Sequence, residues 1–419
     1  MPFSANRIFI VKYIVHIMDH INLFQTNAEF LSAYNGSDYV EPWLSYTMET
    51  SGISFNKKQT PPPYLSIPLT IEIVDGSGSI TLNRNNIKYK LNDEDWVEES
   101  SPTISVSNGD KIQLKENHET AYASGAYIPL ITDSDDFNDF KYMIYGNIMS
   151  VYQETGFEDL TTFTNEETYV FANLFGGCSC LVSAENLTLP ATELTEFCYE
   201  YMFQGCSSLA TTPELPATTL ADYCYENMFQ DCTSLTTAPE LPVTTLAQGC
   251  YTGIFKGCTS LTTAPALPAT TLAYGCYGGM FNGCTSLTTA PELPATTLAG
   301  ECYYEMFQYC TSLTTAPELP ATAMTYNCYC NMFYNCTSLT SAPELPATTL
   351  ANGCYGYMFY GCTNLNYVKC LSMDMSGINS YYWLSNVSAS GTFVKNPNLN
   401  SWVSGPDGIP NGWTVQNAN

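Results

Sequence analysis

The stretch Leu215-Pro216-Ala217-Thr218-Thr219-Leu220-Ala221-Asp222-Tyr223-Cys224-Tyr225-Glu226-Asn227-Met228-Phe229-Gln230-Asp231-Cys232-Thr233-Ser234-Leu235-Thr236-Thr237-Ala238-Pro239-Glu240 decides the fold, because it returns along the chain. Pro190, Pro216, Pro242, Pro268, Pro294, Pro320 and Pro346 are spaced by 26 residues. Two cysteines per copy keep the same spacing: Cys198, Cys224, Cys250, Cys276, Cys302, Cys328 and Cys354, each followed eight positions later by Cys206 through Cys362. Self-similarity at this period predicts a solenoid, in which one supersecondary unit stacks on copies of itself. Such a stack offers an extended surface and seldom a buried catalytic cleft.

Within one copy, Leu235-Thr236-Thr237-Ala238 reads as a strand with Leu235 inward. Pro216 and Pro239 lack an N–H, so they are placed at its flanks. Thr218, Thr219 and Leu220 begin a return segment. Cys224, Met228, Phe229 and Cys232 suit a short helical or turn-like piece with one buried face. Phe203 through Phe359 should form an internal aromatic column. A residue that recurs once per coil stacks on itself, so the repeat cysteines are expected as two columns of small, reduced, buried thiols. Neighbouring coils roughly 4.8 Å apart also lie within disulfide reach, so spacing alone leaves bridges open.

The flanks read differently. Residues 1–63 are expected to be an N-terminal docking arm and linker, ending in Pro61-Pro62-Pro63. From 64 to 153 the pattern alternates. Leu65–Ile67, Leu69–Ile73, Ile80–Leu82, Ile87–Leu91, Thr103–Val106, Lys111–Leu114 and Tyr142–Tyr145 read as short strands between turn signals, predicting an immunoglobulin-like β-sandwich. Residues 154–370 form the repeat region, with a degenerate first copy around Leu174-Phe175-Gly176-Gly177-Cys178 as N-terminal cap. Residues 371–419, with Trp383, Phe393, Trp402 and Trp413, are expected as the C-terminal cap. The fold class is therefore mainly β: seven 26-residue repeats plus caps, preceded by the sandwich.

Charge narrows the partners. The net charge is −27, and between Glu185 and Cys362 the sole base is Lys256. Phosphate backbones and anionic lipid would be repelled. No apolar run is long enough for membrane insertion, and the first residues do not read as a signal peptide. Catalytic constellations are missing. His16 and His20 have helical spacing without further metal ligands, and His118 sits in a polar stretch. Asp133, Asp135 and Asp136 lack the glycine and closing glutamate of a calcium loop. The recurring Glu214, Glu240, Glu292, Glu318 and Glu344 read as a solvated edge. No cofactor and no metal is expected, and no enzymatic activity.

Recognition is sought where the copies differ. Variable pairs precede the first cysteine, the Met or Ile, and the second cysteine of each copy. Their alphabet is largely Tyr, Asn, Gly, Asp, Glu and Gln, as in adaptable paratopes. Tyr223, Asn227, Tyr274, Tyr304, Tyr309, Tyr326, Asn331, Tyr334, Tyr357 and Tyr360 are the candidate ligand-binding residues. Tyr225, Tyr251, Tyr277, Tyr303, Tyr329 and Tyr355 recur at one fixed position and are expected to be scaffold. A tolerant solvent face, or a face packed against another subunit of a homo-oligomer, are the alternatives.

The string Met228-Phe229-Gln230-Asp231-Cys232-Thr233-Ser234-Leu235-Thr236 resembles the A-F-x-x-C-x-x-L core of BspA-type leucine-rich repeats, over roughly Ala172 to Cys370. The chain also resembles modular proteins of gut anaerobes and their phages that follow a β-domain with such repeats and end as Gly408 to Val415 do. The 26-residue unit is longer than the commoner one. The resemblance implies a non-enzymatic binding or adhesion protein. With no signal peptide read, the expectation is a phage virion appendage, a head or tail fibre on the virion surface. Its repeat surface would face a host glycan or protein, and its N-terminal arm would dock on other virion proteins. A bacterial cell-surface adhesin and a glycan-degrading enzyme are the other readings.

Overall fold

In the computed structural model, the described residues are the backbone of 44–49 and 52–57, and 64–419 without 99, 101, 117–127, 134–139, 164–166, 374–379 and 406. His16, His20, His118, Asp135, Asp136 and most of the expected arm lie outside them. Two compact units are present, 1–63 and 64–419. In the first, strands β1 (Leu44–Glu49) and β2 (Gly52–Lys57) pair antiparallel.

The second unit is mainly β. Among the described residues, 3-10 turns form at Ile148–Val151 and Phe157–Asp159. Its first part holds β3 (Leu69–Asp75), β4 (Ser77–Leu82), β5 (Ile87–Leu91), β6 (Thr103–Ser107), β7 (Lys111–Glu116), β8 (Ile131–Asp133) and β9 (Lys141–Asn147). Alternation sets their faces: in β6, Ile104 and Val106 are buried between exposed Thr103, Ser105 and Ser107. One sheet runs β6-β4-β8 and the other β10-β9-β3-β7-β5, where β10 is Leu181–Thr188. Leu65–Ile67, expected as strand, is a turn closed by Ile67 N–H on Tyr64 O at 3.0 Å. Pro68 follows and has no donor with which to extend a ladder.

β10 pairs parallel with β9 but belongs to the first repeat, so the sheet crosses the boundary expected at 153/154. Asp133 reinforces the joint. Its carboxylate accepts from Cys180 N–H at 2.8 Å and from Tyr142 O–H at 3.2 Å. It ties the β-domain to the repeats.

Beyond β10 the copies stack in register through an alternation of backbone donors. The N–H groups of Tyr223, Tyr225, Asn227, Phe229 and Asp231 donate to carbonyls of Gln248, Cys250, Thr252, Ile254 and Lys256 in the next copy, at 2.7–3.1 Å. The intervening Cys224, Glu226, Met228 and Gln230 donate three residues back within their own copy. Because the period is even, the alternation survives from copy to copy, and the donors of the segment are satisfied without helix or long strand. The expected strand at Leu235–Ala238 shrinks to single parallel bridges such as Thr237 with Thr263. Pro239 ends it.

Inside the stack run the expected columns. Phenylalanines from Phe175 to Phe359 stack with centroids 5.4–5.9 Å apart. Tyrosines from Tyr199 to Tyr355 stack at 5.6–6.3 Å and are essentially fully buried. Fully burying one such ring or a leucine stabilises by about 1.5–3 kcal/mol. Stacking also places the buried hydroxyls of Tyr199 and Tyr225 without a hydrogen-bond partner among the described residues. All eighteen cysteines are buried free thiols. Those of the second column donate to the phenylalanine carbonyl of the preceding copy, for example Cys258 Sγ to Phe229 O at 3.1 Å and Cys336 Sγ to Phe307 O at 3.0 Å.

The stacking continues past Cys362 into the residues expected as the C-terminal cap. Strand β11 (Tyr367–Cys370) pairs parallel with β12 (Thr392–Lys395), and β12 with β13 (Thr414–Asn417). Trp383 stacks on Tyr355 at 6.0 Å and 15°. The N–H groups of Tyr357, Phe359 and Gly361 donate to carbonyls of Tyr381, Trp383 and Ser385, each at 2.9 Å. One further coil therefore closes the cysteine-bearing copies.

Candidate functional site

Every fourth residue of the turn segment is left-handed. In the second copy these are Tyr223, Asn227 and Asp231, with φ of 56°, 52° and 59°. The equivalents are Gly249, Gly253 and Gly257, then Gly275, Gly279 and Gly283. In later copies they are Glu301, Glu305 and Tyr309, then Asn327, Asn331 and Asn335, then Gly353, Tyr357 and Gly361. Glycine has no Cβ penalty there, and Asn and Asp tolerate the region. Much of the variable alphabet that reads as paratope-like is thus dictated by the backbone. The second member of each variable pair is a left-handed position.

The bulky residues at these positions are different. An ordinary L-residue pays roughly 1–2 kcal/mol in this region. Tyr169, Phe197, Tyr201 and Tyr223 occupy it in the early copies with φ of 60°, 58°, 55° and 56°, and Tyr309, Tyr357 and Tyr382 in the late ones with φ of 61°, 52° and 51°. The late three line one open concavity of about 490 Å³, together with Gln308, Asn331, Tyr334 and Tyr360. The concavity spans four successive coils. One side carries Asn331, Tyr357 and Tyr382 at equivalent positions; the other carries Gln308, Tyr334 and Tyr360. Tyr334 and Tyr360 stack at 4.8 Å and 8°. Tyr357 and Tyr382 stack at 5.4 Å and 10°. Tyr309 meets Tyr334 edge-on at 5.6 Å. Burial, with the neighbouring phenols, raises the Tyr334 hydroxyl above its ordinary value, so it stays a neutral donor and acceptor at physiological pH. Behind the groove, Tyr381 lies over Gly356, where a Cβ would approach its ring to 2.5 Å.

Five of the ten candidates therefore converge: Tyr309, Asn331, Tyr334, Tyr357 and Tyr360. The other five lie elsewhere. Tyr223 stacks on Phe197 at 5.1 Å and 3°, and its hydroxyl accepts from Gln248 Nε2 at 2.6 Å. Asn227 is buried, its amide reaching Glu226 Oε1 at 3.4 Å. Burial, with the Glu200 carboxylate one copy earlier, pushes Glu226 up to about 7. Tyr274 and Tyr326 are exposed, at 45% and 52%, outside the groove. Tyr304 is half-buried, and burial first, then the Glu305 carboxylate, raises its hydroxyl above the ordinary value. Two groove residues were missed. Gln308 sits in a variable pair beside Tyr309. Tyr382 lies beyond the last repeat cysteine, where the spacing from Tyr357 contracts to 25 residues.

The same face is bare in the middle of the stack, where Gly253 with Lys256, and Gly279 with Asn282, hold the equivalent positions. Among the described residues no group of three or more His, Cys, Asp or Glu could hold a metal ion. The glutamates expected as a solvated edge are exposed. No helix among them is long and apolar enough to cross a membrane.

A family model for the BspA type leucine rich repeat region matches residues 149–272 and 251–389, with six copies. These segments cover more than half of the chain. The chain belongs to the BspA-type leucine-rich-repeat family. BspA-type repeats are consistent with a surface, adhesin-type binding role. No curated protein and no solved structure matches the chain.

Proposed function

We propose that this BspA-type protein is a non-enzymatic attachment protein whose repeats form a solenoid, and whose tyrosine groove binds a glycan on a host surface. The observation that carries the reading is the convergence of five tyrosines from four coils onto one open concavity. Tyrosine supplies rigid amphipathic contact area at low entropic cost. In this reading the immunoglobulin-like β-domain is a spacer at the other end of the stack. The virion surface is the proposed location, as a head or tail fibre docked through the N-terminal arm; mass spectrometry of purified particles tests it.

The experiment for the groove is whole-cell binding by the Tyr334→Ala/Tyr360→Ala protein against a Tyr274→Ala/Tyr326→Ala control. The groove variant should bind at least about tenfold more weakly, as for hot-spot tyrosines. The control should bind as the parent does. Equal binding by both variants would remove the groove from the account. Product analysis of the glycan after incubation should show an unaltered chain; cleavage products would make the protein an enzyme.

A further inference from the structure

The groove has an unusual chemical character. Five phenol rings and two amides line it, and none of these side chains is charged. Around it the charge is one-sided. Lys256 is the sole base between Glu185 and Cys362; beyond it Lys369 pairs with Glu344 and Lys395 donates to the carbonyls of Asn396 and Leu399, while Glu301 and Glu305 lie in the copy where the groove begins. An anionic ligand meets a repulsive field with no base in the lining to offset it. A cation is drawn in.

The rings do not form one flat platform. The Tyr334/Tyr360 stack and the Tyr357/Tyr382 stack are set at a steep angle, with Tyr357 tilted by 60° to Tyr334 and by 65° to Tyr360. Tyr309 closes on Tyr334 at 69°. Angled walls suit a rounded group that touches several ring faces at once. A flat sugar ring would favour a coplanar shelf. Aromatic faces carry negative charge density and attract a cation within about 6 Å. An ammonium that keeps its N–H protons needs strong acceptors on burial, and the lining offers no carboxylate. A fully methylated ammonium has no such protons and presents only methyl groups.

We propose that the groove recognises a quaternary, choline-type ammonium group carried by the host-surface glycan. The inference rests on the groove being the attachment site and names what it binds there. Tyr334 and Tyr357, one from each stack, are the principal contacts. Salt weakens the long-range attraction but leaves the ring contacts in place.

Calorimetric titration of the full chain with choline and with its neutral isostere 3,3-dimethylbutanol tests this. Choline should bind, and the isostere about tenfold more weakly or not at all, since the two differ in charge and hardly in shape. Tyr334→Leu should lose about tenfold in choline affinity, and Tyr334→Phe should keep it. Choline should also compete whole-cell binding. Equal binding of choline and isostere overturns the cation assignment, and so does no binding of either. The groove itself then stands or falls on the Tyr334→Ala/Tyr360→Ala adhesion result. A trimethyllysine peptide binding more tightly than choline-bearing glycan would make the ligand a protein and overturn the glycan assignment.

Discussion

Raising the pH from 8 to 11 should unfold the repeat stack cooperatively, with most of the loss between about 9 and 10.5. Burial is the first cause that lifts all fourteen repeat thiols, from Cys198 to Cys362. Cys198, Cys258 and Cys362 are pushed up to about 12. A free thiol in the unfolded chain titrates near 8.5. The folded state therefore holds these protons more tightly than the unfolded state. The stability they contribute is complete below about 8.5 and is lost as pH rises toward the folded values. Each thiol costs about 1.4 kcal/mol per pH unit in that window. Summed over two columns, even a modest rise exceeds the roughly 5–15 kcal/mol by which domains are stable. Near-ultraviolet circular dichroism against pH checks this. A stack that keeps its signal at pH 11 would contradict two neutral, buried thiol columns.

Two tyrosines in the same family of repeats should behave in opposite ways. Tyr277 is 1% exposed and stacks between Tyr251 and Tyr303 at 6.1 and 6.0 Å. Tyr277→Ala should cost about 3–5 kcal/mol, as for other buried aromatics, and should weaken coupling between adjacent copies. Tyr309 is 44% exposed and left-handed, and glycine fills its position in Gly257, Gly283 and Gly361. Tyr309→Gly relieves roughly 1–2 kcal/mol of backbone strain. It loses an edge contact with Tyr334 worth about 0.5–1.5 kcal/mol, and glycine gives the unfolded chain more freedom. The terms nearly cancel, so stability should stay within about 1 kcal/mol while cell binding falls. Urea unfolding of both variants separates them. Equal destabilisation would mean that Tyr309 is scaffold and its strain incidental.

The stack was legible because its cause is periodic. Cys224, Tyr225, Met228 and Phe229 recur, and a residue that recurs once per coil can only stack on itself. The fixed and variable tyrosines separate on the same ground: Tyr251 is buried, and Tyr274 is exposed. The left-handed positions were visible but unread. Gly249, Gly253 and Gly257, followed by Gly275, Gly279 and Gly283, carry glycine at every fourth residue, a signal for positive φ that coincides with the variable, paratope-like alphabet. The last coil was not legible, because Trp383 replaces the column residues and no cysteine marks its edges. Half of the groove, Tyr382 included, depends on which coils abut, and that is fixed by cross-coil hydrogen bonds. β10 was missed for a similar reason: its partner β9 lies in what reads as another domain.

The central claim is that attachment occurs at the groove and not along the whole repeat face. Tyrosine-specific nitration, read by mass spectrometry with and without saturating host cells, measures it directly. Tyr309, Tyr334, Tyr357, Tyr360 and Tyr382 should be protected on binding, while Tyr274 and Tyr326 remain as reactive as in the free protein. Protection of Tyr274 and Tyr326 with the groove tyrosines unchanged would contradict the account.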